Sequence, residues 1–439
     1  MSKTKKKNIH DSRTKSNTKK SNTKKSNTKK SNTKKSIHNK PKTLRIIFAH
    51  SPSLENDAKI YESVFSKYNY KVDFKLIKNI HHHTFEKYYD VNLFLEQLPS
   101  GCKKHFPSKY NLYMPNNELF IDTKEDNKNT SKNKYDRYEE LKSIHMILCK
   151  TQMCYKFFKF IKNEKNPNNH NNVYSYKTVY TKFTSNIMKE LQYDSNGGND
   201  SSVDPNLFIH LAGKSSFKNT PDLVNCWIKN NGFLDIDPDI KLVITCYGQC
   251  YRWFNSNLKR IYNYDFTKDK NVIMDKKKMI ATYKNMTIHF KPIETVSEYV
   301  DLLKKANLSI CISSKEGYGH YINESRYMNK FIITMDYPPM NEMVKNTEKD
   351  GKDGKDGKDG NSNSILLKKK DKFRKQTYKE TKFEFYEAYP NMEELRDSII
   401  WCIKNKNDLG KYGANGRAMF DNDRKYFENV LGKTIRDRF

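Results

Sequence analysis

The sequence predicts an α/β fold of two Rossmann-like domains behind a disordered basic N-terminal tail. Three features lead there. From Leu44 onward, short apolar runs of strand length alternate with amphipathic helical stretches, the pattern of parallel sheets wound by helices. A stretch rich in Gly, Ser and Asp, residues 192–206, divides that alternation into two halves like an interdomain linker. In the second half, residues 308–335 run strand, glycine loop, helix, strand, which is one βαβ unit.

Composition sets the outer bounds. The chain of 439 residues carries a formal charge of +31 and is long enough for two domains and a tail. Residues 1–40 repeat KKSNT in tandem, and their Lys/Arg excess of about 14 accounts for nearly half of the total charge. Without apolar periodicity the repeat cannot build a core and is expected to be disordered. It offers a weak contact to an anionic surface or nucleic acid, or serves only as an expanded solubilising segment. The eight cysteines form no C-x-x-C pair, and several fall inside apolar runs, where free cysteine behaves as a small hydrophobe. No apolar run is long enough for a signal peptide or a transmembrane segment. The expectation is therefore a reduced, cytoplasmic protein.

The first domain is expected over residues 41–191. Its first strand is 44–49, followed by an amphipathic helix near 56–68 and strands near 72–77, 90–96, 111–114, 144–149 and 178–183, with a helix at 152–161. No G-x-G-x-x-G follows the first strand, so an ordinary NAD site is disfavoured. Polar stretches at 123–134 and 162–172 read as surface loops.

The second domain is expected over residues 207–405. It opens with a strand at 207–211 and a loop, Gly213 to Thr220, before a helix started by Pro221. Gly213-Lys214-Ser215 lacks the upstream glycine of a P-loop, since position 208 is Phe. Strands at 241–245 and 286–290 and a helix at 296–306 lead to the βαβ unit. Residues 346–364 hold KDG repeats and read as a flexible insert. A helix over 392–403 and another over 417–431 close the chain, the last within a C-terminal segment of residues 406–439.

Chemistry concentrates in the βαβ unit. Glu316 stands before the glycines, and Glu324 lies one helical turn beyond His320 on the same face. Gly317 and Gly319 allow the main chain to approach a diphosphate at the helix N-terminus. The order E-G-Y-G-H-Y-x-x-E, a strand, then P-P-M-N-E resembles the donor site of the retaining GT-B glycosyltransferases of the group one, family four type. The resemblance covers most of residues 44–345 and implies two facing domains. It implies that Glu316 contacts hydroxyls of the transferred sugar, that Glu324 contacts the nucleotide ribose, and that the Tyr318, Gly319 and His320 amides hold the diphosphate. It further implies that Lys218, on the loop after Gly213, supplies the cation for the leaving diphosphate, and that Lys291 and Ile293 cradle the base. More faintly, Met114–Glu118 is similar to a PNPE segment, Leu148–Thr151 to a cKT segment, and Tyr180–Ser185 to a Y-T-x-F-T-S strand end. That half would carry the acceptor, with Glu96 and Glu118 placed to orient it. The terminal helix would cross back to the first domain.

Competing signals are weaker. His81-His82-His83 are consecutive and lack a spaced carboxylate, so a turn is expected rather than a metal site. Asp235-Ile236-Asp237 lies with Pro238 between a helix and a strand and reads as a loop. The KDG insert lacks the terminal Glu of an EF-hand. The expected function is transfer of a sugar (a hexose) from a UDP- or GDP-linked donor to a protein or glycan acceptor, with retention and without metal or added cofactor. A catalytically silent relative of the same fold and a basic nucleic-acid-binding protein stand as the alternatives.

Overall fold

The computed structural model describes residues 40–78, 86–116, 137–163, 174–185, 202–345, 363–368, 374–377 and 384–439. The tail up to residue 39, the triple histidine, Glu118, the surface loop at 123–134 and the KDG repeats lie outside the described residues, as do most of the loop at 162–172 and most of the linker at 192–206.

In the first lobe the elements are β1 (Lys42–Ala49), α1 (Pro52–Ser66), β2 (Tyr70–Ile77), β3 (Tyr89–Glu96), α2 (Cys102–His105), β4 (Ser108–Pro115), α3 (Arg137–Leu141), β5 (Met146–Cys149), α4 (Gln152–Asn163) and β6 (Lys177–Tyr180). The strands form one parallel sheet in the order β2-β1-β3-β4-β5-β6. Helices cover both of its faces, so β1 buries Leu44, Ile46, Ile47 and Phe48 in succession instead of alternating.

The second lobe holds β7 (Leu207–Gly213), α5 (Thr220–Lys229), β8 (Lys241–Cys246), α6 (Gln249–Tyr262), β9 (Val272–Asp275), β10 (Ile280–Tyr283), β11 (Met286–His289), α7 (Val296–Lys305), β12 (Leu308–Cys311), α8 (His320–Tyr327), β13 (Phe331–Met335) and β14 (Ser364–Leu367). Its sheet runs β14-β13-β12-β7-β8-β11-β10-β9 and is parallel except for the β9–β10–β11 meander at one edge. A hairpin of β15 (Arg374–Thr377) and β16 (Glu384–Glu387), then α9 (Met392–Lys404) and α10 (Leu409–Arg438), complete the chain. Local chemistry sets several helix starts. Thr295 and Glu298 form a reciprocal capping box on α7, and the Asn391 side chain caps α9.

Both sheets belong to one compact unit, Pro41–Phe439, and α10 joins them. Its Phe420 packs with Leu207, Ile209 and Tyr327 of the second lobe, while Phe427, Leu431 and Ile435 enter the first-lobe core beside Leu44 and Tyr61. The helix is 30 residues long, twice the stretch its apolar pattern predicts. Glycines hide its first turns from a propensity reading. At Gly413 the reason is close approach, because an added Cβ would overlap the Asn329 carbonyl.

His210 fixes the centre of the second sheet. Its Nδ1–H donates to the Ile310 carbonyl at 2.7 Å, which leaves Nε2 to accept from the Thr220 hydroxyl at 3.0 Å. Burial lowers its pKa to about 4, so the unfolded chain takes up this proton first as pH falls from an ordinary value of about 6.5. The stabilisation is complete above that value and is lost as pH drops toward the folded-state pKa. Taking the protein from pH ~7.5 to ~5 should therefore cost about 2 kcal/mol through this residue. Urea denaturation of His210→Asn should lack that component; an unchanged pH dependence would remove His210 as its source.

Candidate functional site

Strands β7 and β12 are parallel neighbours, with Leu308 opposite Phe208. From β7 the chain proceeds to β8 on one side, and from β12 to β13 on the other. Such a switch opens a crevice beyond the carboxyl ends of the two strands. The two loops that leave there are joined by the Ser314 N–H, which donates to the Phe217 carbonyl at 2.6 Å.

Lys218 from the first loop and Glu316 from the second meet in this crevice as an ion pair, each side chain about one-tenth exposed. Glu316 also accepts the Ser313 hydroxyl at 2.6 Å, and the Lys218 ammonium lies 3.6 Å from the centre of the Tyr321 ring. Beyond Glu316 the main chain bends into α8 through Gly319, whose φ of +87° suits glycine, and no side chain caps the helix. Glu324, one turn into α8, accepts the Tyr299 hydroxyl at 2.5 Å and the Ser185 hydroxyl of the first lobe at 3.4 Å. The two carboxylates of the motif thus sit on one loop and helix, with different partners.

The first lobe closes over the same loop. Tyr318 is buried in the first-lobe core, its ring 5.3 Å from that of Phe183. Asn116 lies so close to Gly317 that a Cβ there would overlap it. Behind them stands a charged set, buried at Asp57 and Lys150 and partly exposed at His320, that spacing alone did not reveal. Asp57 of α1 receives Lys150 Nζ at 2.6 Å on one oxygen and approaches His320 Nε2 at 3.0 Å with the other. Burial raises the Asp57 carboxyl, but Lys150 and His320 together outweigh it and hold the group below its usual range. A signal for Asp57 did exist: it falls on the apolar face of α1, three residues after Leu54 and four before Tyr61, where a hydrophobe is the default.

Other cross-lobe contacts reinforce the closure. Glu342, from the P-P-M-N-E segment, accepts the Gln152 and Met153 amides at 2.6 and 2.8 Å and so caps α4 of the first lobe. Asp423 of α10 accepts Arg326 of α8 at 2.8 Å and also holds Lys182. Glu96 ends β3 with a φ of 58° and accepts the Asn116 amide at 3.2 Å. Burial pushes its carboxyl up more than Lys150, Asn116 and His320 pull it down. A cavity of about 20 Å³ remains between the lobes, lined by Lys150, Tyr318, Glu342 and Asp423 among others, room for about one water.

The remaining expected residues are spread around the rim. Gly213 ends β7 with a φ of +61° and accepts the Tyr247 amide at 2.8 Å. Lys291 is exposed and donates to the Lys277 carbonyl at 3.3 Å, while Ile293 is half-buried in the loop after β11. One expectation is corrected: the cysteines are not all free. Cys246 at the end of β8 and Cys250 in the first turn of α6 form a disulfide, with Cα atoms 5.3 Å apart. The strand-to-helix turn at Tyr247-Gly248 brings them together, and α6 has no cap residue to mark it in the sequence. Asp237 of the D-x-D is held by Lys406 in a turn. Among the described residues, no group of three or more His, Cys, Asp or Glu side chains is placed to hold a metal ion. Nor is any helix among them long and apolar enough to cross a membrane.

No protein-family model and no curated protein matches the sequence. Solved structures do match. The sucrose-phosphate synthase of Thermosynechococcus elongatus superposes with a TM-score of 0.55 at 9% identity, over 90% of this chain and 98% of that one. HepE of Anabaena, in complex with UDP and glucose, gives 0.48 at 10% identity over 89% and 98%. An alpha-glucosyltransferase in complex with UDP-glucose and DNA containing an abasic site gives 0.49 at 11% over 89% and 95%. The first of these carries the assignment, which is one of architecture: the chain has the GT-B fold of glycosyltransferases.

The buried Asp57–Lys150 pair makes a direct test. Asp57→Ala should cost about 3–5 kcal/mol, because it strands the Lys150 charge. The double variant Asp57→Leu, Lys150→Met should recover most of that loss. Denaturant melts of the three proteins measure both, and a single-variant loss below about 1 kcal/mol would show that the pair is solvated.

Proposed function

We propose that this chain is a nucleotide-sugar-dependent glycosyltransferase whose donor binds at the carboxyl ends of β7 and β12 and whose acceptor binds on the first lobe. The observation that carries this reading is the meeting of Lys218 and Glu316, 98 residues apart in sequence, at the switch point where GT-B architecture makes its crevice. In this reading the donor diphosphate takes Lys218 from Glu316 and lies against the Tyr318–His320 amides. Glu316, released, accepts hydroxyls of the sugar, and Glu324 accepts those of the ribose. Lys291 and Ile293 flank the base. The lobes open to admit the donor and close on it, with Tyr318 returning to its socket beside Phe183.

The chemistry then follows from charge. The bond from the anomeric carbon to the leaving phosphate oxygen breaks as the bond to the acceptor oxygen forms on the same face. The acceptor's proton passes to that phosphate oxygen. Negative charge building on the diphosphate is stabilised by the Lys218 ammonium and the start of α8, the type of preorganised field that supplies most of the rate in such transfers. The reading asks for no metal and no cofactor beyond the donor. Residues 1–40 add a cationic contact to an anionic partner.

A second reading, a silent GT-B protein that binds without turnover, draws support from the same pair, since Lys218 and Glu316 already satisfy each other. One assay separates the two. A panel of nucleoside diphosphates should raise the melting temperature for at least one base, by about 2.7 kcal/mol of stabilisation at a hundredfold excess over Kd. The matching sugar nucleotide should then be hydrolysed or transferred, with Lys218→Ala and Glu316→Gln each slowing turnover roughly 10²–10³-fold. Binding without turnover would leave the silent protein; wild-type rates in both variants would overturn the assigned roles.

A further inference from the structure

Among the described residues, β6 is the outermost strand of the first sheet on its side. Between it and the last turns of α10 runs an open groove of about 520 Å³. One wall is aromatic. Tyr155 of α4, Tyr180 of β6 and Tyr426 of α10 follow one another with ring centres 6.2 and 6.0 Å apart. Lys177, Lys433 and Arg438 line the groove against one carboxylate, Asp437. Lys159 sits 4.6 Å from the Tyr155 ring, which makes that end of the wall cationic, and Lys182, which Asp423 also holds, lies 5.5 Å from the Tyr426 ring. Tyr426 is 41% exposed.

We propose that this groove binds single-stranded nucleic acid, with bases against the tyrosine wall and phosphates along Lys177, Lys433 and Arg438. Ring faces beside a track of cations are the two requirements of sequence-tolerant single-strand binding. Other occupants fit less well. A neutral glycan needs several carboxylates and amides for its hydroxyls, and among the described residues Asp437 is the one carboxylate in the lining. An acidic peptide would satisfy the lysines and leave three rings without planar partners. The chain's own KKSNT tail carries the same sign of charge as the groove. The inference rests on the groove's own residues and not on the transferase reading.

Fluorescence anisotropy of the full-length protein with a labelled thymidine oligonucleotide of about 15 residues, and with a duplex of equal length, tests it. At ~0.15 M salt the single strand should bind more tightly, since stacking needs unpaired bases. Tyr426→Ala should weaken the single strand about tenfold and leave the duplex unchanged. Lys433→Glu with Arg438→Glu should weaken it further and lower the salt slope by about two. Equal affinity for both forms, or indifference to Tyr426→Ala, would assign binding to the lysine tail and overturn the proposal. Polyglutamate competing as well as the oligonucleotide would overturn it in favour of an acidic peptide.

Discussion

A lysine and a glutamate buried against each other at the ends of two adjacent parallel strands are the constraint on which the second lobe turns. Desolvating both charges is tolerable only because each has a further partner, Ser313 for Glu316 and the Tyr321 ring for Lys218. The arrangement follows from topology. β7 and β12 must be neighbours, and the chain must depart from them in opposite directions, for residues 98 apart to share one crevice.

Closure of the lobes uses the same loop. Tyr318 inserts into the first-lobe core, His320 reaches Asp57, and Glu342 caps α4. A ligand in the crevice would consequently be felt at the interlobe surface, because the residues that would touch it and those that lock the lobes alternate along one segment. Helix α10 ties the lobes together, with apolar side chains in both cores and Asp423 holding Arg326 of one lobe and Lys182 of the other.

Much of this was legible in the amino-acid order. Parallel strands buried on two faces give unbroken apolar runs, so β1, β7, β12 and β13 stand out, and the E-G-Y-G-H loop marks itself by its glycines between them. What escaped notice has physical causes. α6 begins after Gly248 without a capping side chain, and β9 and β10 are four-residue strands separated by a run of three lysines. Gly413, Gly416 and Gly432 of α10 stand where neighbours approach closely, and they depress helix propensity. Cys246 and Cys250 are joined by a turn that no cysteine spacing rule encodes. Asp57, Lys150 and His320 come from three distant elements, and only the tertiary structure brings their charges together.

The central claim concerns bare main-chain amides at the tip of α8 beside a displaceable lysine. Hydrogen exchange at residues 317–321, followed with and without a saturating nucleoside diphosphate, measures it directly. The account predicts slower exchange at the Tyr318–His320 amides in the presence of the diphosphate, and loss of that protection in Lys218→Ala. A diphosphate that binds elsewhere and leaves those amides exchanging at their original rate would contradict it.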